Sequence, residues 1–158
     1  MSNLILEKIP EKICIIRLSA IGDTCHTLSV IRQIQDHWPN VKITWIIGKI
    51  EAQLMCDIHD IEFITFDKKR TFSAYKDIYG YLNNKTFDIA LCMHPSIRAN
   101  LLCPIINARI KIGFDRKRAK DFQWLFTSNR IKAKDNAHAL EVLLSFASAI
   151  GVPSKPLR

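Results

Sequence analysis

Five short apolar runs, at 13–17, 43–47, 63–66, 89–93 and 110–114, constrain this 158-residue chain more than any other feature. They are rich in Ile, Val and Phe and show little alternation with polar residues, which is the pattern of strands covered on both faces. Helix-length stretches separate them. The spacing predicts a helix over 24–38 with Leu28, Ile31, Ile34 and Trp38 on one stripe, closed by Pro39-Asn40. Shorter helices are predicted at 50–57, 72–82 and 97–106, the last interrupted by Pro104. A final helix, capped by Asp135 or Asn136, aligns Leu140, Leu143, Leu144, Ala147 and Ile150 ahead of Gly151. Strand and helix thus alternate five times. That order predicts an α/β fold, a Rossmann-like doubly wound parallel sheet.

In open sheets of this kind, chemistry gathers beyond the carboxyl ends of the strands. The first run ends in Arg17-Leu18-Ser19-Ala20-Ile21-Gly22-Asp23, a small-residue turn followed by an acid in the first turn of a helix. Two readings of Asp23 stay open. As a helix N-cap it would contribute about 1 kcal/mol, and the helix dipole would favour its ionised form. As a general base it would take a proton from a sugar hydroxyl. His26 lies on the same helical face at i+3, placed to orient Asp23 or to bind substrate. Lys68-Lys69-Arg70 follows the third run and reads either as a solvated loop or as a clamp for phosphate or carboxylate. His94 follows the fourth run, before Pro95-Ser96-Ile97-Arg98, and reads sooner as a hydrogen-bonded loop residue than as a ligand. At His138, which opens the last helix, capping or packing competes with substrate contact.

Composition narrows the function classes. No apolar run approaches the ~20 residues a membrane-spanning helix needs, and the N-terminus lacks the order of a secretory signal, so a cytoplasmic location is expected. Five cysteines (Cys14, Cys25, Cys56, Cys92, Cys103) never form C-x-x-C, and they read as reduced core thiols, not as a disulfide framework or zinc site. None of the five glycines forms G-x-G-x-x-G or a Walker A loop, which argues against a dinucleotide cradle. No metal-ligating motif is present.

Charge is unevenly placed. Residues 109–134 hold nine basic side chains (Arg109, Lys111, Arg116, Lys117, Arg118, Lys120, Arg130, Lys132, Lys134) against Asp115 and Asp121, which is seven of the eight net positive charges. This suggests one surface for an anionic partner, with a merely solvated basic face as the alternative. Phe114, Phe122, Trp124 and Phe126 interleave with those charges. Beside Leu125 they read as core anchors rather than as a stacking platform, so no nucleic-acid partner is expected.

The stretch from Arg17 through Asp23 and His26 to Leu28 closely resembles the opening motif of the lipopolysaccharide heptosyltransferases, glycosyltransferase family 9. Further likenesses are Pro39-Asn40-Val41-Lys42-Ile43-Thr44-Trp45, Lys68-Lys69-Arg70, and Phe87-Asp88-Ile89-Ala90-Leu91. Ile112-Gly113-Phe114-Asp115 through Lys120-Asp121, Leu125-Phe126 and His138-Ala139-Leu140-Glu141 complete them. Together they cover nearly the whole chain and are most similar to the heptosyltransferase I branch. The family usually carries Asp-x-Gln-Gly after the fourth strand, where this chain reads Cys92-Met93-His94-Pro95, and often Arg where Lys120 stands. Both departures bear on the identity of the acceptor.

The resemblance implies a GT-B fold of two Rossmann-like domains facing across a cleft, the N-terminal one for the acceptor. On that basis residues 1–151 are the acceptor-binding domain, residues 152–158 begin an interdomain linker, and the chain lacks a C-terminal donor-binding domain. The implied reaction is inverting transfer of heptose from ADP-heptose to a Kdo residue of the lipopolysaccharide inner core. Asp23 matches the family's base. Ser19, His26, Lys69, Arg70, Arg98, Lys120 and His138 are implied as acceptor-binding residues, matched to Kdo carboxylates and lipid A phosphates. No cofactor is implied, because ADP-heptose is a substrate held mainly by the other domain. Further implied are an anionic membrane surface at the cytoplasmic face of the inner membrane, a complementing donor-domain polypeptide, and inactivity of this chain alone. The alternative is a non-catalytic module that grips anionic glycolipid or membrane surface.

Overall fold

The structure, a computed structural model, describes residues 6–115, 118–119, 123–132 and 138–153. Six parallel strands form one sheet: β1 (Lys12–Ile16), β2 (Lys42–Gly48), β3 (Ile61–Phe66), β4 (Phe87–Cys92), β5 (Ala108–Gly113) and β6 (Asn129–Arg130). Their spatial order is β3-β2-β1-β4-β5-β6. Ile13 pairs with Ile43 on one side and with Ile89 on the other, so β1 lies at the centre. The strand order reverses between β1 and β4, and this is the switch point beyond which α/β sheets bind ligands. The expected Rossmann-like doubly wound sheet is the one found.

Alternation along each strand builds a core on both faces. Ile13 and Ile15 join Trp45, Ile47, Ile89 and Leu91 beneath helices α1 (Ile21–His37) and α5 (Ala139–Ala149). Cys14 and Ile16 join Ile46, Ile64, Ala90 and Cys92 on the other face, beneath α3 (Phe72–Leu82) and α4 (Ile97–Asn100). Each fully buried aliphatic or aromatic side chain here contributes roughly 1.5–3 kcal/mol. Phe146 of α5 meets Phe114 edge to face at 5.1 Å, which joins the last helix to the end of β5.

Several boundaries depart from expectation. Helix α1 starts at Ile21, not Thr24, and its N-cap, Ala20, makes no side-chain cap bond. Helix α2 (Lys49–Leu54) is shorter than expected. The stretch 97–106 splits into α4 and a 3-10 turn, Cys103–Ile105, with Pro104 in its first turn. The two-residue β6 carries no apolar run and is held through backbone pairing with Ile112 and Gly113. Helix α5 has His138 at its N-cap without a side-chain bond; Asp135 and Asn136 lie outside the described residues. Its buried face is Val142, Leu143, Phe146, Ala147 and Ile150, whereas Leu140 and Leu144 are only half-buried.

Three further expectations need correction. Cys25 and Cys56 are exposed, and only Cys14, Cys92 and Cys103 are core thiols. Trp124 and Leu125 are exposed, Phe126 packs against the core, and Phe122 lies outside the described residues. The described residues of the basic stretch do not share one surface; Arg116, Lys117, Lys120 and Lys134 lie outside the described residues. Arg109, near the amino end of β5, faces Glu7 at 4.0 Å, Lys111 donates to the Cys103 carbonyl (2.7 Å), and Arg118 pairs with Asp115 (3.2 Å). A strand carries its residues from one end of the sheet toward the other, so the charge near the amino end of β5 and those beyond its carboxyl end lie apart.

Candidate functional site

Strands β1 to β4 finish at a common edge, and the turns that follow them converge there. After β1, Arg17 stays buried while the chain turns through Leu18 and Ser19 into α1. A buried guanidinium needs partners. Arg17 Nη2 lies 2.7 Å from Asp23 Oδ2, and Nη1 donates to the Met93 carbonyl at 2.7 Å. Burial pulls Arg17 below its usual pKa, with the Asp23 carboxylate opposing. Trp45 Nε1 donates to the Arg17 carbonyl (3.0 Å), anchoring the turn to the core. Asp23 therefore occupies the third helical position as the partner of a buried cation, not the N-cap. Its side chain remains 36% exposed.

Close to this pair opens a cavity of about 510 Å³, lined from four strand exits: Leu18 and Ser19 after β1, Gly48 and Lys49 at the junction of β2 and α2, Asp67 to Lys69 after β3, and His94, Ser96 and Arg98 after β4. Gly48 is needed for a close approach, because a Cβ there would lie 2.5 Å from the Leu18 carbonyl oxygen. Asp67 is already engaged, with Oδ1 accepting from the Lys69 backbone N–H (3.1 Å) and Oδ2 3.8 Å from Lys49. Lys68, Lys69 and Arg98 have no carboxylate partner among the described residues. Glu51 also lines the cavity, but the four cations Lys49, Lys68, Lys69 and Arg98 outnumber the two acids, Glu51 and Asp67, so the cavity is cationic on balance and suited to a carboxylate or phosphate.

His94 closes one side of it. The Leu18 backbone N–H donates to His94 Nδ1 at 3.1 Å, so Nδ1 carries no proton and Nε2 does. Burial first, then Arg17, lower the imidazole pKa to about 4, with Asp23 pulling the other way. Besides the bond from Arg17 to Met93, one more joins the same turns: the Met93 N–H donates to the Ile16 carbonyl (3.0 Å).

The structure gathers some of the expected site residues and disperses others. Ser19, Lys69 and Arg98 line the cavity. Asp23 is not a lining residue; it reaches the cavity's electrostatics through Arg17 and His94. His26 does not bond to Asp23, and its buried Nδ1 has no partner among the described residues. Arg70 turns away to Asp77 at 2.9 Å in an exposed pair. His138 is exposed at the start of α5 and is not among the lining residues. Lys120 lies outside the described residues. Sequence reasoning missed Arg17 and Gly48 and undervalued His94. A lone cation closing an apolar run was a legible signal for Arg17, whereas the Leu18–His94 contact spans 76 residues and left no local trace. Among the described residues no group of three or more His, Cys, Asp or Glu side chains is placed to hold a metal, and no helix is long and apolar enough to cross a membrane.

The model of glycosyltransferase family 9 (heptosyltransferase) matches residues 78–157. Over 144 residues the chain is 42% identical to the lipopolysaccharide core heptosyltransferase OpsX of Haemophilus influenzae, covering 91% of this chain and 42% of that protein. The fold resembles Escherichia coli heptosyltransferase WaaC with ADP at a TM-score of 0.81 and 21% identity, over 93% of this chain and 49% of that one. A family 9 glycosyltransferase from Veillonella parvula aligns at a TM-score of 0.77 and 23% identity, over 90% and 42%. The chain thus spans half or less of the length of each of these proteins.

Proposed function

Because the chain belongs to glycosyltransferase family 9, we propose that it is the acceptor-binding part of an inverting heptosyltransferase of the lipopolysaccharide core. The cationic cavity beside Asp23 carries this reading. Lys68, Lys69 and Arg98 supply unpaired positive charge for the carboxylate of a Kdo residue. Arg17 holds the Asp23 carboxylate at the exit of the central strand, and both charges act on His94, which lines that cavity.

In the proposed reaction the acceptor hydroxyl oxygen attacks the anomeric carbon of ADP-heptose from the face opposite the diphosphate. The bond from that carbon to the diphosphate breaks, its electron pair leaves on ADP, and configuration inverts. The hydroxyl proton passes to an Asp23 oxygen. Arg17 balances the carboxylate before transfer and keeps its geometry. The donor is held mainly by a second domain, and transfer needs that domain and the acceptor-binding part to hold the two reactants together.

The mouth of the cavity suits an acceptor anchored in lipid. Ile50 and Ile97 line it and are 58% and 49% exposed, and Phe72, which opens α3 after the basic loop, is 88% exposed. With Lys49, Lys68, Lys69 and Arg70 around them, these groups favour peripheral docking on the anionic cytoplasmic face of the inner membrane.

The test is isotope transfer from ADP-heptose to Kdo-lipid A, with this chain joined to a family donor domain. Asp23→Asn is expected to cut turnover at least ~100-fold while acceptor binding persists. Unchanged turnover would reject Asp23 as the base, and acceptor binding without any turnover by the wild-type sequence would favour the non-catalytic module.

A further inference from the structure

We propose that His94 is an acceptor-binding residue, donating a hydrogen bond from Nε2–H to an oxygen of the sugar acid that occupies the cationic cavity. This rests on the acceptor reading above and assigns it a directional contact.

The observations are geometric. His94 lines the cavity together with Ser19, Lys69 and Arg98. Its Nδ1 is committed to the Leu18 N–H, which leaves Nε2 as the protonated nitrogen. Nε2 has no hydrogen-bond partner among the described residues, in a ring that is half-buried. A proton on Nδ1 would set two N–H groups against each other, beside the Arg17 guanidinium. Burial first, and then Arg17, lower the imidazole pKa to about 4, so the ring is held neutral.

A neutral, fixed donor does something the surrounding cations do not. Lys68, Lys69 and Arg98 attract an anion on flexible stems and tolerate a range of poses. His94 is oriented by a backbone N–H of the turn that leads into α1, the helix that carries Asp23. A bond from its Nε2 therefore registers the acceptor against the base. A hydroxyl or ring oxygen fits this donor.

The two ring nitrogens are separable by substitution. Asn places its amide oxygen near the position of Nδ1, so His94→Asn keeps the bond from Leu18 and loses the donor. Gln places its amide nitrogen near Nε2, so His94→Gln keeps the donor and loses the bond from Leu18. Binding of free Kdo to the 158-residue chain is measured by calorimetry, alongside the melting temperature of each variant. His94→Asn is expected to melt near wild type and bind roughly tenfold more weakly, the loss of one net hydrogen bond. His94→Gln is expected to melt lower and bind within about threefold of wild type. In wild-type protein labelled with ¹⁵N-histidine, the Nε2 resonance of His94 should be that of a protonated nitrogen and should shift on saturation with Kdo.

The inference is overturned if affinity follows melting temperature across the two variants, or if Nε2 is unmoved by saturating Kdo. In either case the acceptor reading stands on the Kdo binding itself. Absence of Kdo binding to the wild-type chain would overturn both.

Discussion

At the amino ends of β1 and β4, Asp88 accepts hydrogen bonds from the backbone N–H groups of Glu11 (2.8 Å) and Lys12 (3.1 Å). At the carboxyl end of β1, Asp23 is held by one side chain, Arg17, at 2.7 Å. Both ends carry an acid, nearby cations and a hollow. The amino-end hollow is about 160 Å³, bounded by Leu6, Lys8, Pro10 and Arg109 among others, against about 510 Å³ at the carboxyl end. Burial works against ionising Asp88, but the two N–H bonds, Lys8 and Arg109 outweigh it and hold its carboxyl below the usual range. Its oxygens are spent closing backbone. Where the strands exit into turns, Arg17 and His94 also bond to main-chain groups, the Met93 carbonyl and the Leu18 N–H, but free valences remain among the described residues: His94 Nε2, and the Lys68, Lys69 and Arg98 cations. The acid at one end is structural because the main chain consumes it; the acid at the other is available because it is not.

The sharpest way to break this contrast is Arg17→Met. It leaves Asp23 without its counter-charge and the Met93 carbonyl without its donor, and should cost about 3 kcal/mol in urea unfolding. A cost below 1 kcal/mol would mean that the carboxyl-end turns are not organised by this ion pair.

Next in size is a pH effect confined to the carboxyl end. Free histidine titrates near 6.5 and His94 near 4. Between those values the unfolded chain binds more protons than the folded one, so stability falls as pH drops through that window and levels off below it. After allowance for solvent screening this contributes roughly 2 kcal/mol. Stability curves of wild type and His94→Gln should converge as pH falls from 6.5 to 4.

At the amino end, Asp88→Ala should cost about 1.5 kcal/mol through the two orphaned N–H groups, with Kdo binding unchanged. A loss of Kdo affinity would show that the two ends are coupled.

The smallest expected effect concerns stored strain. Thr71, in the turn after the basic loop, has φ of 44°, the one non-glycine residue with positive φ among those described. Such a conformation is costly for a β-branched side chain. Thr71→Gly should raise stability by up to about 1 kcal/mol, read as an upward shift in melting temperature. No gain would mean that the turn carries no strain.

Legibility in the sequence followed the reach of the physics. The central strands were readable because burial on both faces demands Ile13, Ile15, Ile46 and Leu91 regardless of detail. Strand β6 was invisible, since Asn129 and Arg130 pair through the main chain, which carries no side-chain signature. The start of α1 was misplaced by three residues because Ala20 caps it without a side-chain bond. The buried Gln123 gave no warning either: it donates to the Cys92 carbonyl and accepts from the Phe114 N–H, tying β4 to β5 across 31 positions.

For the site, local sequence alone placed Asp23, Ser19, Lys69 and Arg98 at strand exits, and a doubly wound sheet brings such exits together. Hydrophobic periodicity and the alternation of strand and helix, which are properties of short segments, imply the parallel sheet, whereas the order β3-β2-β1-β4 is read from the structure. Which of them work together was decided only in three dimensions. Arg17 instead of His26 holds Asp23 and Arg70 leaves for Asp77, because the path of each strand-to-helix turn sets which side chains six or seven residues apart can meet, and His94 is oriented by Leu18 through an approach across 76 residues.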